Sequence, residues 1–532
     1  MSGVNIERIF TSARASVGFA LSCLEPVGKN LRARSSFVDP GGQIMHWHEF
    51  GDLEGPGWAA NAVGGAHLLY RWGTFLSDEA VRSSALRLLD HVLEDGFVLP
   101  DGFIWPYFDL AENRFCLKYA HNDAWLSPGS LAKIGVEMLE FAADLGENIR
   151  AAQLVKNAED LSYWLETHVP RLPSGWLPRR ITRDGEAYPI SPHGSLDPIY
   201  DHSADGLYLL QLWALTGRHE LARNLGDAFI AAGGLWGSIN HDTFDDHENV
   251  AYAVAFRVLR QVCDLLDMPG WRDFAYQSAL PAMLRFRIAE DRNGVATCGL
   301  FLMEDSWDTA YLWENAEVAQ AYLEAWQETL VKNTEEVENI AGDETRLGIA
   351  LGVLEAIARH HYGSLGFLTE GVDLNNHVGQ QHHINNAPYG AIQYTEPLLN
   401  NLHLLLPTLT YFQASGYQSW FHGSPFELTT LRVGSTITQD RRLAEVFSHK
   451  PTLVSAEDDG SIRHNGDTEG YLYLITEPLQ PGEAIPHPRT TMNPGWEWLT
   501  THELTLTKLG PVPIFPDELF SPDKNECPAP HA

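Results

Sequence analysis

Apolar residues recur every three or four positions along most of the first 415 residues, as in Val250, Val254, Val258, Val262 and Leu265, or Leu312, Tyr322, Leu323, Trp326 and Leu330. That spacing gathers them on one face of a 3.6-residue helix and predicts amphipathic helices on a shared core. Twelve such stretches can be drawn, at about 4–24, 58–75, 79–94, 127–145, 149–168, 203–216, 218–232, 248–266, 270–288, 309–331, 344–363 and 389–413. Ser127-Pro128 ahead of Leu131 and Ile134, and Ser203 ahead of Leu207, are start signals. The connections alternate in length. Gly146-Glu147-Asn148, Thr216-Gly217-Arg218 and Met268-Pro269-Gly270 are tight, whereas 25–57, 95–126, 169–202, 233–247, 289–308 and 364–388 are long. Tight turns make antiparallel neighbours, so six hairpins, the first helix pairing with the twelfth, put every long connection at one end. The predicted fold is mainly α: an (α/α)6 toroid of six helical hairpins. One supposed tight turn, 332–343, is instead a dozen mostly polar and acidic residues.

After about residue 425 the pattern changes to short β-favouring runs broken by Gly, Asp and Pro, at 428–433, 452–454 and 471–476. The expected division is a helical catalytic domain over 1–415, a small β-rich region over 416–520 and a disordered tail over 521–532. A chain of 532 residues that is 44% hydrophobic is long enough for this large core.

Charge narrows the function. The net charge is −34 with only 36 Lys plus Arg, which argues against nucleic acid or anionic membranes as partners. No apolar run reaches membrane-spanning length. The five cysteines, at 23, 116, 263, 298 and 527, show no CxxC spacing, so neither a disulfide framework nor a zinc finger is indicated. Arg8, Arg14 and 15–23 faintly resemble a signal peptide, but the apolar stretch is short, is interrupted by Ser16 and Ser22, and continues the helical period of Ile6 and Ile9. It is read as an ordinary first helix, hence an intracellular, cytoplasmic protein.

The long connections collect the residues able to do chemistry. They hold His48, Trp105, His121, Asp123, Trp125, Asp201, His202, Trp236, Glu304, Asp305, Trp307, Asp308, His377 and His382. Long loops inside compact domains usually serve binding or catalysis. Interleaved tryptophans and carboxyls suit a saccharide, whose C–H faces pack on rings while carboxylates and amides take the hydroxyls.

The most specific motif is Ala204-Asp205-Gly206-Leu207-Tyr208-Leu209. It resembles the Asp-Gly-Leu-Tyr sequence of unsaturated uronyl and rhamnogalacturonyl hydrolases, which are six-hairpin barrels. Tyr311-Leu312-Trp313-Glu314-Asn315-Ala316 is loosely similar to another helix opening of that family. Together these cover only about 20 residues, and the β-rich C-terminal region is not expected of the family. The resemblance implies that Asp205 is the catalytic acid/base, on a helix start whose dipole favours the ionised form and among aromatic residues whose burial opposes it. The competing reading is that Asp205 merely caps its helix.

A glycosidase usually needs a second carboxyl, and Asp123, Glu304, Asp305 and Asp308 are the candidates, with Glu314 close by. Expected saccharide contacts are His48, Trp105, His121, Trp125, Asp201, His202, Trp236, Trp307, Trp313, His382, Asn385 and Asn386. A second class, a lyase or epimerase, would draw its base from His377 or Tyr389, with Asn385 beside them and Arg179, Arg180 or Arg183 on a uronate carboxylate. Asp305-Ser306-Trp307-Asp308-Thr309-Ala310 resembles the acid motif of class II terpene cyclases with Trp307 in place of the middle aspartate, and 242–246 is a distorted prenyl-diphosphate pattern. A non-catalytic sugar-binding scaffold is the remaining alternative. His46-Trp47-His48-Glu49 and His382-His383 show neither HExxH nor facial-triad spacing, so no metal and no other cofactor is expected. The expected partner is a small saccharide; oligomeric state has no signature here.

Overall fold

The computed structural model describes residues 17–18, 20–33, 52–58, 60–117, 123–189, 194–195, 203–232, 247–291, 297–304, 309–332, 346–358, 371–373, 420–456, 462–475, 479, 483–488, 490, 492 and 496–520. Within these, the chain forms two compact units, one inside Glu7–Thr408 and one inside Leu409–Ala532.

The larger unit is built from α1 (Ala62–Phe75), α2 (Glu79–Glu94), α3 (Pro128–Leu145), α4 (Ile149–His168), α5 (Gly206–Leu215), α6 (His219–Ala231), α7 (Asn249–Val262), α8 (Pro269–Phe274), α9 (Leu312–Lys332) and α10 (Arg346–Ala358). Their starts follow from capping chemistry. Asp78 accepts from the amides of Ala80 (2.9 Å) and Val81 (3.2 Å), Ser127 from Ser130 (3.1 Å), and Asn148 from Ala151 (3.0 Å). After α8 the helix widens into a π turn, Ala275–Ala279, and ends in a 3₁₀ turn, Met283–Phe286. Pro281, which has no N–H, lies between them, and the Leu280 amide bonds back five residues to Ala275.

Helices α1 and α2, α3 and α4, α5 and α6, and α9 and α10 are packed hairpins, while α1, α3, α5, α7 and α9 follow one another side by side. This inner succession is parallel, because contacts advance together along each pair. Gly64 meets Glu137 and His67 meets Asp144; Gly129 meets Asp205 and Gly135 meets Leu212; Gln211 bonds Gln261 (2.6 Å); Arg257 pairs with Glu317 and Arg260 with Glu328. The N-termini of the inner helices therefore share one end. Trp72, Trp176, Trp213, Tyr252 and Tyr322 are among the largest fully buried side chains.

The structure differs from the periodicity in several places. Positions 17, 18 and 20–22 are helical, but Leu24–Val27 pairs antiparallel with Asn30–Ala33 across a tight turn containing Gly28 at φ 55, inside what reads as a loop. Leu53–Glu54, from the same connection, forms a three-stranded antiparallel sheet with Tyr107–Asp109 and Arg114–Cys116 of the next long connection. Thr309–Tyr311, expected to open a helix, is a strand paired with Gly371–Asp373. The expected helix 389–413 and the tail 521–532 lie outside the described residues.

In the smaller unit Phe421–Ser424, Gly470–Ile475, Leu504–Val512 and Thr430–Leu431 form, in that order, an antiparallel sheet. Helix α11 (Arg441–Ser448), which the β-favouring pattern does not predict, is capped by Asp440 and packs on it. Gly423 and Gly470 permit the approach, since a β-carbon would lie 1.8 Å from the Ala444 carbonyl oxygen and 2.1 Å from that of Ser448. Among the described residues no helix is long and apolar enough to cross a membrane.

Candidate active site

Asp205 stands immediately before α5 with helical backbone angles, and its side chain makes no cap bond, so it does not merely cap the helix. It is 3% exposed. The Ser127 hydroxyl, itself the cap of α3, donates to its Oδ2, and its own N–H donates to Ser203 Oγ (3.4 Å). Oδ1 is buried with no hydrogen-bond partner among the described residues. Burial pushes the carboxyl's pKa above its ordinary value; the Ser127 and Ser203 hydroxyls, Arg179 and the Gly206 amide oppose this without cancelling it.

Two glycines make the arrangement possible. A β-carbon on Gly129 would lie 2.4 Å from the Asp205 carbonyl carbon and oxygen, and one on Gly206 would lie 2.6 Å from the Trp176 ring. Trp176 in turn donates from its indole to the Ser203 carbonyl (3.1 Å).

Ser127 also lines a small pocket with Trp58, Tyr107 and Trp125. The Arg180 guanidinium lies 3.7 Å from the centre of the Trp125 ring, and Leu126 and Ile181 exchange backbone bonds of 2.8 and 3.0 Å. Arg183 covers both Phe103 and Trp105 at 4.8 Å. Aromatic rings, a buried carboxyl and guanidinium groups thus meet at the N-terminal end of α3 and α5.

A second acidic group occupies the corresponding ends of α7 and α9. Glu248 and Glu304 are antiparallel bridge partners. Together with Glu314 in the first turn of α9 they are almost completely buried. The Asn249 side chain donates to the Leu302 carbonyl (2.6 Å), and Asn315 takes both backbone groups of Phe301 (2.6 and 2.9 Å). Burial first, and Glu248 and Glu304 second, hold the Glu314 pKa well above the carboxylate range.

Deeper along the inner helices lies a pocket lined by His67, Lys133, Glu137, Tyr208, Gln211, Arg257 and Glu317 among others. Its charges are largely compensated: Lys133 pairs with Glu137 (3.2 Å) and Arg257 with Glu317 (2.5 Å) and Glu324 (3.2 Å).

Of the residues singled out in the sequence, Asp205, Trp125 and Glu304 are buried in these groups. Trp105 is partly buried and stacks on Phe115. Asp123 is exposed, pairing with Arg114 and accepting from the Leu117 amide (3.1 Å), a loop tie. Trp313 is in the first turn of α9, its side chain outside the described set. His48, His121, Asp201, His202, Trp236, Asp305, Trp307, Asp308, His377, His382, Asn385, Asn386 and Tyr389 lie outside the described residues. Among the described residues no three His, Cys, Asp or Glu side chains are grouped to hold a metal. Sequence reasoning missed Ser127 as a partner of Asp205, and it missed Glu248. The sequence carries no distinguishing signal for the latter: Glu-Asn stands at the openings of α7 (248–249) and α9 (314–315), but also at 112–113, 147–148 and 338–339.

No family model matches the chain and no curated protein matches its sequence. Solved structures do match. A sugar epimerase from a ruminal bacterium aligns with a TM-score of 0.53 at 13% identity, covering 76% of this chain and 98% of that one. Cellobiose 2-epimerase from Bacillus thermoamylovorans B4167 aligns with a TM-score of 0.50 at 12% identity, covering 76% and 99%. An unsaturated glucuronyl hydrolase specific for heparin aligns with a TM-score of 0.46 at 10% identity, covering 77% and 98%. At such identities the likeness is one of architecture alone: in fold, this chain is similar to the two epimerase structures over about three quarters of its length.

Proposed function

We propose that the protein is a carbohydrate-active enzyme whose larger unit closes into the six-hairpin ring and cleaves a glycosidic bond in a small saccharide, one bearing a uronic or unsaturated uronic residue. Asp205 acts as acid/base, and Glu304 is the second carboxyl. The observation that carries this reading is the state of Asp205: buried, not capping its helix, pushed toward the neutral form and bonded to a serine that lines an aromatic pocket. A neutral carboxyl donates a proton to a leaving oxygen or to a vinyl ether carbon, and its ionised form activates water. Arg179, Arg180 and Arg183, on the segment bonded to Leu126, are the groups suited to a substrate carboxylate.

Sugar epimerisation is the second reading, favoured by the activities of the two similar structures with TM-scores of 0.53 and 0.50. Its base would be His377 or Tyr389.

Mass spectrometry of the purified protein with a panel of saturated and unsaturated uronyl oligosaccharides and reducing disaccharides separates the readings. Gain of one water with release of a sugar, abolished in Asp205→Asn, supports hydrolysis. Isomerisation at constant mass, seen chromatographically, supports the epimerase and overturns the hydrolase. Elimination without water supports a lyase, and turnover unchanged in Asp205→Asn removes that residue from the mechanism.

A further inference from the structure

The hydrolase reading leaves unexplained why three carboxyls are sealed together at the ends of α7 and α9. Bridge partners in an antiparallel pair have β-carbons about 4.5–5.5 Å apart and side chains on the same face, so Glu248 and Glu304 stand side by side. Glu314 joins them from the neighbouring helix. Glu248 and Glu314 are 0% exposed and Glu304 is 3% exposed.

Both carboxyl oxygens of Glu314 are buried without a hydrogen-bond partner among the described residues. The charged groups acting on it there are Glu248 and Glu304, with no lysine, arginine or histidine among them. His247, next in the chain, is bonded through Nδ1 to the Tyr252 hydroxyl (2.7 Å). The support is built from both sides. Asn249 and Asn315 sew 301–303 between the two helix starts with four hydrogen bonds, so the glutamates have little freedom to separate. Like charges held this closely away from water do not all ionise.

We propose that Glu248, Glu304 and Glu314 form a proton-sharing acid cluster in which the proton resides on Glu314, a positioning residue that keeps Glu304 supplied with a proton for the leaving oxygen. The role given to Glu304 rests on the hydrolase reading; the shared proton does not. In the reaction the proton held on Glu314 passes through Glu304 to the glycosidic oxygen as the bond to the anomeric carbon breaks. Asp205 in its ionised form takes one proton from the water that bonds to the carbon and gives it up to solvent, from which the cluster regains its own, so one water is consumed and no net proton is lost.

Infrared difference spectroscopy of the full chain at neutral pH, wild type against Glu314→Gln, tests the cluster without any substrate. A protonated-carboxyl carbonyl band present in the wild type and lost in the variant is expected; a wild-type spectrum without such a band overturns the proposal. If Glu314→Gln fails to fold, Glu248→Gln serves instead. It retains the band but titrates it at lower pH, because one repelling charge is gone, and an unchanged titration overturns the cluster. On a saccharide that is turned over, Glu314→Gln lowers kcat by about 10-fold or more and moves the alkaline limb of the pH profile down, with KM little changed. An unmoved limb overturns the relay. Absence of turnover on every saccharide counts against the hydrolase reading alone, since the infrared band decides the cluster separately.

Discussion

Replacing Gly129 with alanine tests the packing that places Asp205. A β-carbon there would lie 2.4 Å from the carbonyl carbon and oxygen of Asp205 and 2.5 Å from its Cγ, whereas ordinary contact begins near 3.4 Å. Two of the three obstructing atoms are backbone, so a rotamer change does not relieve the overlap. The start of α3 or of α5 must move by about 1 Å. Overpacking of this kind costs roughly 1–3 kcal/mol. Alanine's helix propensity returns up to about 1 kcal/mol relative to glycine, so net destabilisation of about 1–2 kcal/mol is expected. The effect on chemistry is larger, because a misplacement of about 1 Å can cost on the order of 100-fold in rate. Urea unfolding followed by tryptophan fluorescence, with turnover measured on the same preparation, gives both quantities. Gly270→Ala is the control: nothing lies within 4 Å of its β-carbon position and its φ is not positive, so only a neutral or slightly stabilising effect is expected. If Gly129→Ala unfolds at the same urea concentration as the wild type or higher, the close packing of α3 on the Asp205 backbone is wrong.

Three further outcomes follow from the same geometry. Ser127→Ala removes both a helix cap and the hydroxyl that draws the Asp205 titration down. It should cost about 1 kcal/mol and move the Asp205 limb of the pH profile to higher pH; a downward move would contradict the assignment. Arg257→Met leaves Glu317 and Glu324 without the guanidinium they share, and losing one partner of a buried pair costs about 3–5 kcal/mol. Urea midpoints at pH 7 check this; Glu324 keeps Arg260 as a partner, so the loss falls mainly on Glu317, and an unchanged midpoint would contradict it. In the smaller unit His464 is fully buried against the His449 ring (centroids 5.0 Å apart), and burial, then His449, lowers its pKa. The unfolded chain therefore binds the proton more tightly, so stability from this site is complete above the ordinary histidine value near 6.5 and is lost as pH falls below it. His464→Asn should flatten that part of the thermal-stability profile, and an unaltered slope would exclude His464 as its source.

What could be read in advance divides along a physical line. Helices α2 and α4 appear with the bounds expected of them because everything that sets them is local: Asp78 and Asn148 cap their own starts, and Gly146 at φ 67 ends the preceding helix. The strand pairs at Leu24–Val27 and Tyr107–Asp109 were not legible, since runs of three or four residues leave no measurable period and their partners come from elsewhere in the chain. The site shows the same division more sharply. Asp205 is conspicuous because Asp-Gly at a helix start is a local pattern, yet its environment depends on Ser127, 78 residues earlier. That meeting is produced by the stagger of α3 against α5, which Gly129 and Gly135 permit by having no side chain. A missing side chain carries no hydrophobic period, and a glycine inside a helical run reads as a weak point rather than as a contact. Glu-Asn shows the complementary case. It occurs five times in the chain and marks no site by itself; what sets the copies at 248–249 and 314–315 apart, asparagines that clamp 301–303 while glutamates converge beside them, exists only once α7 and α9 lie side by side. Periodicity therefore locates the inner helices, while the axial offsets between them decide which polar residues at their starts become one site.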